Sequence, residues 1–199
     1  MEKPKNTYIA LGSNKGEKFK HLQSAIDQIH FKIGAIKRIS KAYKSPAFGF
    51  EGDEFLNACV HVETHLKPKK VMTTLLAIER DLGRTRTKKQ GYESRTIDLD
   101  LLFFEDEIIE TKSLMLPHPE MQNRLFVLQP LSDIATNVSH PTLNKTVAEL
   151  LEACDDNSEI SPINIWLKNP SKKCDFSLYN YIAIEGNIGA GKTSLSTKI

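Results

Sequence analysis

TIDLDLLFF, at residues 96–104, is the most strand-like stretch of the sequence. Apolar residues occupy its odd-numbered positions from 97 to 103, and Asp98 and Asp100 occupy two of the even-numbered ones. Because successive side chains of a β-strand point to opposite faces, this alternation predicts a strand whose odd positions enter a core. The two carboxylates then lie side by side on the other face.

A second alternating stretch, residues 55–64, predicts another strand, with Phe55 and Asn57 on the face opposite to its apolar even positions. Shorter strands are expected at 7–11 and 35–44, and helical spacing predicts helices at 17–31, 68–82 and 146–153. The pair Glu105-Asp106 predicts a hairpin turn into a strand at 107–111. Antiparallel strands with interposed helices indicate an α+β layered fold, with a mainly antiparallel sheet and helices packed on it.

The overall composition is that of a soluble globular chain, with 40% hydrophobic and 26% charged residues and a net charge of +2. This near-neutral balance argues against nucleic acid as a partner, and no stretch is apolar enough to span a membrane. Three widely spaced cysteines fit a reducing cytoplasm. Residues 67–95, however, hold nine basic side chains against three acidic ones, which suits a small polyanion.

The carboxylate pair lies directly after this basic segment, with Arg95 three residues before Asp98. Carboxylate oxygens are ligands that Mg²⁺ prefers, and Mg²⁺ commonly bridges them to substrate phosphates. An isolated pair of this kind on a strand is usually a solvated face with salt bridges to nearby arginines. The adjacent basic segment instead favours a phosphoryl-transfer site, where metal ions and guanidinium groups offset charge on the transferred group.

The run SRTIDLDLL, at residues 94–102, resembles the R-x-[IL]-D-[IL]-D signature of 6-hydroxymethyl-7,8-dihydropterin pyrophosphokinase, also called 2-amino-4-hydroxy-6-hydroxymethyldihydropteridine diphosphokinase. The resemblance extends in order from about Asn6 to the mid-160s. Its further segments are YIALGSN (8–14), YKSP (43–46), FLNA (55–58), IER (78–80), LGRTR (82–86), LPHP (116–119) and NRLF (123–126). Each segment alone has a structural explanation, but the ordered set is specific.

The resemblance implies a ferredoxin-like sandwich and a reaction of folate biosynthesis, in which the diphosphate of ATP moves to the pterin hydroxymethyl group and AMP is released. It also implies that Asp98 and Asp100 hold two Mg²⁺ ions, with ATP as the co-substrate. On the pterin side it implies that Phe55 and Phe126 stack on the ring. Its polar edge would be recognised by Asn57 and by the backbone around Ser45 and Ala47.

On the nucleotide side, the resemblance implies that Arg84 and Arg95 act catalytically on the phosphates. The wider set of implied ATP-binding residues comprises Glu79, Arg86, Arg95, His118 and Arg124. Taken singly, a phenylalanine, a histidine between prolines or a surface arginine is more often structural. The family expectation for the assembly state is a monomer.

The sequence departs from the family at two places. The family usually has W-G-P before the signature arginine, where this chain has Tyr92-Glu93-Ser94 in a loop one residue longer. Flexible polar residues there predict altered loop closure and slower turnover or weaker ATP binding. Ser113 stands where some members have an arginine, so one phosphate contact is expected to be absent or supplied by Lys112.

A different motif lies near the C-terminus. IEGNIGAGKT, at residues 184–193, fits G-x-x-x-x-G-K-[ST] after a predicted strand and resembles the start of a deoxynucleoside kinase. With few residues after it, the motif predicts the truncated start of a P-loop domain in a bifunctional parent. The predicted organisation is a pyrophosphokinase domain at 1–165, a linker at 166–180 and the P-loop start at 181–199.

Three other functions are compatible with parts of the sequence. The tail alone would indicate a nucleoside kinase, in which Lys192 would be essential. The carboxylate pair with its basic segment would suit a metal-dependent nuclease, whose nucleic-acid binding would be salt-sensitive. The altered residues 92–94 would suit a pterin- or nucleotide-binding module that binds ATP without releasing AMP.

Overall fold

A computed structural model describes residues 3–47, 52–84 and 94–172 of the chain. Arg86, the residues Tyr92 and Glu93 of the altered loop, and the P-loop-like motif lie outside the described residues. Predictions that concern them therefore stay predictions.

Six strands of the described residues form one antiparallel sheet in the order β5-β1-β4-β3-β8, with β2 also paired to β4. A separate two-stranded ladder joins β6 to β7. The strands are β1 (Lys5–Ser13), β2 (Gly34–Ile39), β3 (Tyr43–Ser45), β4 (Phe55–Thr64), β5 (Asp98–Phe104), β6 (Ile109–Thr111), β7 (Leu114–Leu116) and β8 (Ser161–Pro162).

Helices cover both faces of this sheet. They are α1 (Lys18–Lys32), α2 (Pro68–Asp81), α3 (Leu125–Ala135) and α4 (Val147–Glu152). Apolar residues of α1 and α2 form one buried cluster with one face of the sheet, and those of α3 and α4 form a second cluster with the other face. The predicted α+β sandwich, with a mainly antiparallel sheet and helices packed on it, is confirmed.

The alternation of β4 is confirmed as well. Leu56, Ala58, Val60 and Val62 belong to the cluster under α1 and α2, whereas Cys59 belongs to the cluster under α3 and α4. The central position of β4 explains why most of its residues are buried on either face.

The alternation of β5 holds only as far as Leu101. Tyr8 pairs with Phe103 and Ile9 with Leu101, so β5 carries one extra residue between two adjacent residues of β1. This bulge sends Phe103 to the cluster under α3 and α4, while Leu99 and Leu101 stay in the opposite cluster. The prediction that Phe103 shares their face is therefore wrong.

Two further differences concern the second half of the chain. The strand at β6 exists, but it pairs with β7, which the sequence did not predict, so the expected hairpin with β5 is wrong. Helix α3 was not predicted at all. It contains Pro130 and buries residues on most of its sides, which removes the one-sided periodicity that marks a surface helix.

Residues 35–44, predicted as one strand, form β2 and β3 with a break at residues 40–42. Within the three described ranges, none of the helices has the length and apolar character needed to cross a bilayer.

Candidate active site

A cavity lies on the sheet face that carries α3, beside the first residues of that helix. We call it the site cavity. It collects side chains that are far apart in the sequence, and eight of its lining residues are among those predicted from the resemblance. These eight are Ser45, Phe55, Asn57, Arg95, Asp98, Asp100, Arg124 and Phe126.

The register of three neighbouring strands brings these residues together. On β5, Asp98 pairs with Gly12 of β1 and Asp100 pairs with Ala10. On the other side of β1, Gly12 pairs with Asn57 of β4. Since directly paired residues of antiparallel strands share a face, the two carboxylates and the amide project into the same cavity.

Asp98 lies between two guanidinium groups. Arg84 forms ion pairs with Asp98 and with Glu79, and Arg95 forms an ion pair with the second oxygen of Asp98. Burial acts to lower the pKa of Arg84, but the charges of Asp98 and Glu79 raise it above its ordinary value. Both arginines are therefore held beside Asp98 by opposite charge.

Glu79 is buried in α2, with only 2% of its surface exposed. Its Oε1 accepts a 2.9 Å hydrogen bond from the backbone N–H of Leu99, between the two aspartates, and also receives Arg84. A carboxylate buried in this way positions Arg84 and fixes β5 against α2.

Burial dominates the protonation of Asp100. Burial, followed by the negative charge of Asp98, raises its pKa to about 7, while the positive charge of Arg124 acts in the opposite direction. The pKa of Asp100 is therefore set first by its burial and second by the charge of its neighbour Asp98.

The end of the cavity away from the aspartates is lined by aromatic side chains and by the amide of Asn57. Asn57 and Ser45 are both buried, and Nδ2 of Asn57 donates a 2.9 Å hydrogen bond to Oγ of Ser45. Phe55 and Phe126 line the walls, with the guanidinium carbon of Arg124 at 5.9 Å from the centre of the Phe126 ring. This arrangement suits a flat, heteroaromatic ligand.

Four predicted residues are described but do not line the site cavity: Ala47, Glu79, Arg84 and His118. His118 is tied to β5 through its backbone N–H, which donates to Leu102 O at 3.0 Å. Burial and the nearby positive charge of Arg124 lower the pKa of His118, and its Nδ1 accepts from the N–H of Glu120. The neutral ring therefore keeps its proton on Nε2, where it can act as a donor.

Sequence reasoning missed the role of Asn14, which was noted only as part of the segment YIALGSN. The structure buries its side chain completely and hydrogen-bonds it to the backbone of Asp53, two residues before Phe55, and to the backbone of Arg95. The available signal was that Asn14 is a polar residue directly after a strand, within a segment that resembles the family.

Residues 8–136 match the family described as 7,8-dihydro-6-hydroxymethylpterin-pyrophosphokinase (HPPK). This match covers more than half of the chain and contains every cavity residue named above. The chain belongs to the HPPK family. As an HPPK, it is an ATP-dependent pyrophosphokinase of folate biosynthesis that acts on a pterin.

Relatives support this placement. The HPPK chain is 41% identical over 148 residues to the 2-amino-4-hydroxy-6-hydroxymethyldihydropteridine pyrophosphokinase of Synechocystis sp., covering 74% of this chain and 75% of the relative. It is 36% identical over 177 residues to the folic acid synthesis protein fol1 of Pneumocystis carinii, covering 88% of this chain but 23% of that longer protein.

Among solved structures, wild-type HPPK-DHPS of Plasmodium falciparum with pteroate superposes with a TM-score of 0.63 at 16% identity. The alignment covers 77% of this HPPK chain and 45% of that one, so the chain spans less than half of it. At this identity the likeness supports the fold.

Proposed function

We propose that the chain transfers the diphosphate of ATP to the hydroxymethyl group of 6-hydroxymethyl-7,8-dihydropterin, with each substrate at one end of the site cavity. The observation that carries the proposal is the register around Gly12, which aligns the amide of Asn57 and the carboxylates of Asp98 and Asp100 on one face. A flat ring held at the amide end would direct its substituent toward the carboxylate end.

The pterin end is assigned to Phe55 and Phe126 as stacking surfaces and to Asn57 as the reader of the polar ring edge. Nδ2 of Asn57 is already bonded to Ser45, so its orientation is fixed and its Oδ1 can accept from ring N–H groups. The backbone at Ser45 and Ala47 is the remaining candidate for edge contacts.

The metal end is assigned to Asp98 and Asp100. Two adjacent carboxylates on one face of a strand fit Mg²⁺, which prefers oxygen ligands and completes its shell with water and phosphate oxygens. Within the described ranges, no group of three or more His, Cys, Asp or Glu side chains is placed to hold a metal unaided. The two aspartates would share two Mg²⁺ ions with ATP. When bound, Mg²⁺ would offset the charge of the transferred diphosphate.

The phosphates are assigned to the arginines. Arg84 and Arg95 are held within contact of Asp98, and Arg124 lines the same cavity, so all three converge where the phosphates would lie. On phosphate binding, Arg84 and Arg95 would transfer part of their contact from Asp98 to the phosphates. Arg86 is assigned with them, and Glu79 and His118 are assigned to the nucleotide side.

The chemistry follows from these positions. The hydroxymethyl oxygen attacks the β-phosphorus of ATP, and the bond between that phosphorus and the oxygen bridging to the α-phosphorus breaks. AMP leaves with that oxygen, and the hydroxyl proton passes to solvent. Arg84 and Arg95 stabilise the charge that develops on the transferred group and on the leaving oxygen.

The test is AMP release from ATP and Mg²⁺, with and without the pterin, for the wild type, Asp98→Ala and Arg95→Ala. We expect pterin-dependent release in the wild type and a loss of at least about 100-fold in both variants. Melting temperatures near that of the wild type would show that the variants fold. Near-normal turnover by Asp98→Ala would refute the metal assignment, and ATP binding without AMP release would favour a binding module.

We further propose that residues 181–199 begin a P-loop domain and that the parent protein also phosphorylates deoxynucleosides. The motif at 186–193 supports this second function. A Lys192→Ala substitution should then leave pterin-dependent AMP release unchanged but abolish deoxynucleoside phosphorylation by a longer parent chain. We also propose domain limits at residues 165 and 180 and a monomeric state. Light scattering tests the monomeric state.

A further inference from the structure

The side chain of Asn14 is fully buried at the end of the Tyr8–Asn14 segment and bonds to two other parts of the chain. Its Oδ1 accepts a 2.7 Å hydrogen bond from the backbone N–H of Arg95. Its Nδ2 donates to the backbone oxygen of Asp53 and to Oγ of Ser94, each at 3.2 Å. One amide thus connects the residues before β4 with the residues before β5.

On the phosphate side, Asn14 and Arg95 are joined twice. In addition to the side-chain bond, the backbone N–H of Asn14 donates to Arg95 O at 3.2 Å. These two bonds fix the backbone from which the guanidinium of Arg95 reaches Asp98. With its N–H and its C=O both bonded, the backbone of Arg95 is fixed, and so is the point from which its side chain extends.

On the pterin side, the bond to Asp53 holds the backbone two residues before Phe55. The neighbouring Glu54 is held as well, because Lys18 Nζ donates to its backbone oxygen at 2.6 Å. Phe55 lines the site cavity, so a shift of residues 53–54 moves an aromatic wall of the pterin end.

Ser94 adds a side-chain contact to this link. Its Oγ accepts a hydrogen bond from Nδ2 of Asn14. The serine is therefore bonded to the same amide that holds the backbone of Arg95.

We propose that Asn14 is a positioning residue that couples the pterin end of the site cavity to its phosphate end, with Ser94 as an auxiliary contact. The inference rests on the roles proposed above for Phe55 and Arg95. Contact of ATP with the guanidinium of Arg95 would, through the shared amide, favour the arrangement of residues 53–55 that binds the pterin. By linkage, the pterin must then tighten ATP binding by the same factor.

The test is calorimetry of pterin binding with Mg²⁺, in the presence and absence of α,β-methylene-ATP, together with steady-state kinetics. In the wild type we expect the analogue to tighten pterin binding, by a factor within the range of about 5–150 typical of coupled sites. Asn14→Ala should reduce this factor toward one and lower kcat by about 100-fold, since it removes the side-chain bonds to both segments.

Asn14→Asp separates the effect of the bond to Arg95 from the effect of the bond to Asp53. Its carboxylate still accepts from Arg95 N–H, but it cannot donate to Asp53 O. We therefore expect the KM for the pterin to rise by about ten-fold, with a smaller fall in kcat than in Asn14→Ala. Ser94→Ala should reduce the coupling factor less than Asn14→Ala, and adding it to Asn14→Ala should have no further effect.

Thr64→Val is the matched control. Thr64 is equally buried, bonds to Ile33 O at 2.6 Å, and lies at the other end of the sheet. It should lower the melting temperature without changing the coupling factor or kcat. Equal coupling in the wild type and Asn14→Ala, or equal losses in Thr64→Val, would overturn the proposal. Absence of pterin-dependent AMP release in the wild type would instead refute the proposed reaction. The factor by which the ATP analogue tightens pterin binding, compared between the wild type and Asn14→Ala, would still decide the role of Asn14.

Discussion

Asn57 and Asp98 lie opposite the same residue, Gly12, from the two strands that flank it. Neighbouring strands are about 4.8 Å apart, so the Cα atoms of the amide and the carboxylate are roughly 10 Å apart on one face. A bicyclic ring with a one-carbon arm fills such a gap. In the proposed reaction, recognition of the ring and chemistry at its arm would therefore depend on separate residues of one sheet.

This separation predicts distinct kinetic effects. Asn57→Ala removes the ring-edge acceptor, and we expect the KM for the pterin to rise by at least about ten-fold with a smaller change in kcat. Asp98→Asn should lower kcat with little change in pterin binding measured by calorimetry. Ser45→Ala serves as the control because it removes only the partner that orients Asn57. A main effect of Asn57→Ala on kcat would contradict the prediction.

The sequence was sufficient for the part of the site that lies on regular strands. Asp98 and Asp100 share a face, and Phe55 and Asn57 share another strand's face, as period-two alternation predicts. Three residues beyond Asp100 the same rule failed for Phe103, because a bulge is set by pairing with β1 and has no signature in the alternation itself.

Features that depend on tertiary contact could not be predicted from local patterns. Helix α3, which supplies Phe126, is buried on most sides and interrupted by Pro130. The partner of β6 depends on which strand the tertiary fold places beside it, and here that strand is β7. The contacts of Asn14 involve residues 39 and 81 positions away along the chain.

Two glycines, Gly12 on β1 and Gly34 on β2, should respond differently to substitution by alanine. A Cβ on Gly12 would lie 3.2 Å from Oδ1 of Asn57 and 3.6 Å from a ring carbon of Phe55, both at the pterin end. A Cβ on Gly34 would lie 2.1 Å from the backbone oxygen of Glu63, which cannot yield without distorting the sheet.

Gly12→Ala should therefore weaken pterin binding by about ten-fold or more, with a melting temperature near that of the wild type. Gly34→Ala should destabilise the fold by about 2 kcal/mol or more, with normal pterin affinity in the folded fraction. Denaturant unfolding and pterin calorimetry on both variants check this pair. If Gly12→Ala destabilised the fold and Gly34→Ala weakened pterin binding, the placement of Gly12 in the lining of the site cavity would be refuted.

The raised pKa of Asp100 predicts an inverse relation between pH and stability in the metal-free protein. Its pKa of about 7 exceeds that of an aspartate in an unfolded chain, so the folded state binds the proton more tightly between the two values. Its contribution to the free energy of unfolding is therefore fully present at low pH and is lost as the pH rises through about 7.

Asp100→Asn cannot ionise and should lack this loss. At pH 8 without Mg²⁺, we expect it to be more stable than the wild type by on the order of 1–3 kcal/mol, although inactive. Urea unfolding at pH 5 and pH 8 measures the difference. Asp81→Asn, a change at an exposed carboxylate, should show no such gain. Equal stabilities of Asp100→Asn and the wild type at pH 8 would contradict the raised pKa.

The double contact of Glu79 predicts that its charge and its hydrogen bond can be separated. Glu79→Gln keeps an oxygen that can accept from Leu99 N–H but loses the charge opposite Arg84. We expect kcat to fall by about ten-fold as Arg84 loses its position, with a change in unfolding free energy of about 1 kcal/mol. Glu79→Ala also leaves the N–H of Leu99 without this acceptor, and should cost about 2–3 kcal/mol more.

The matched control is Glu63→Gln, which removes a partly exposed ion pair with Lys37 and should change stability by less than about 0.5 kcal/mol. Steady-state kinetics with varied ATP and urea unfolding distinguish the two roles of Glu79. If Glu79→Gln kept the wild-type kcat and KM for ATP, Arg84 would not depend on Glu79 for its position, and the buried carboxylate would serve only to fix β5 against α2.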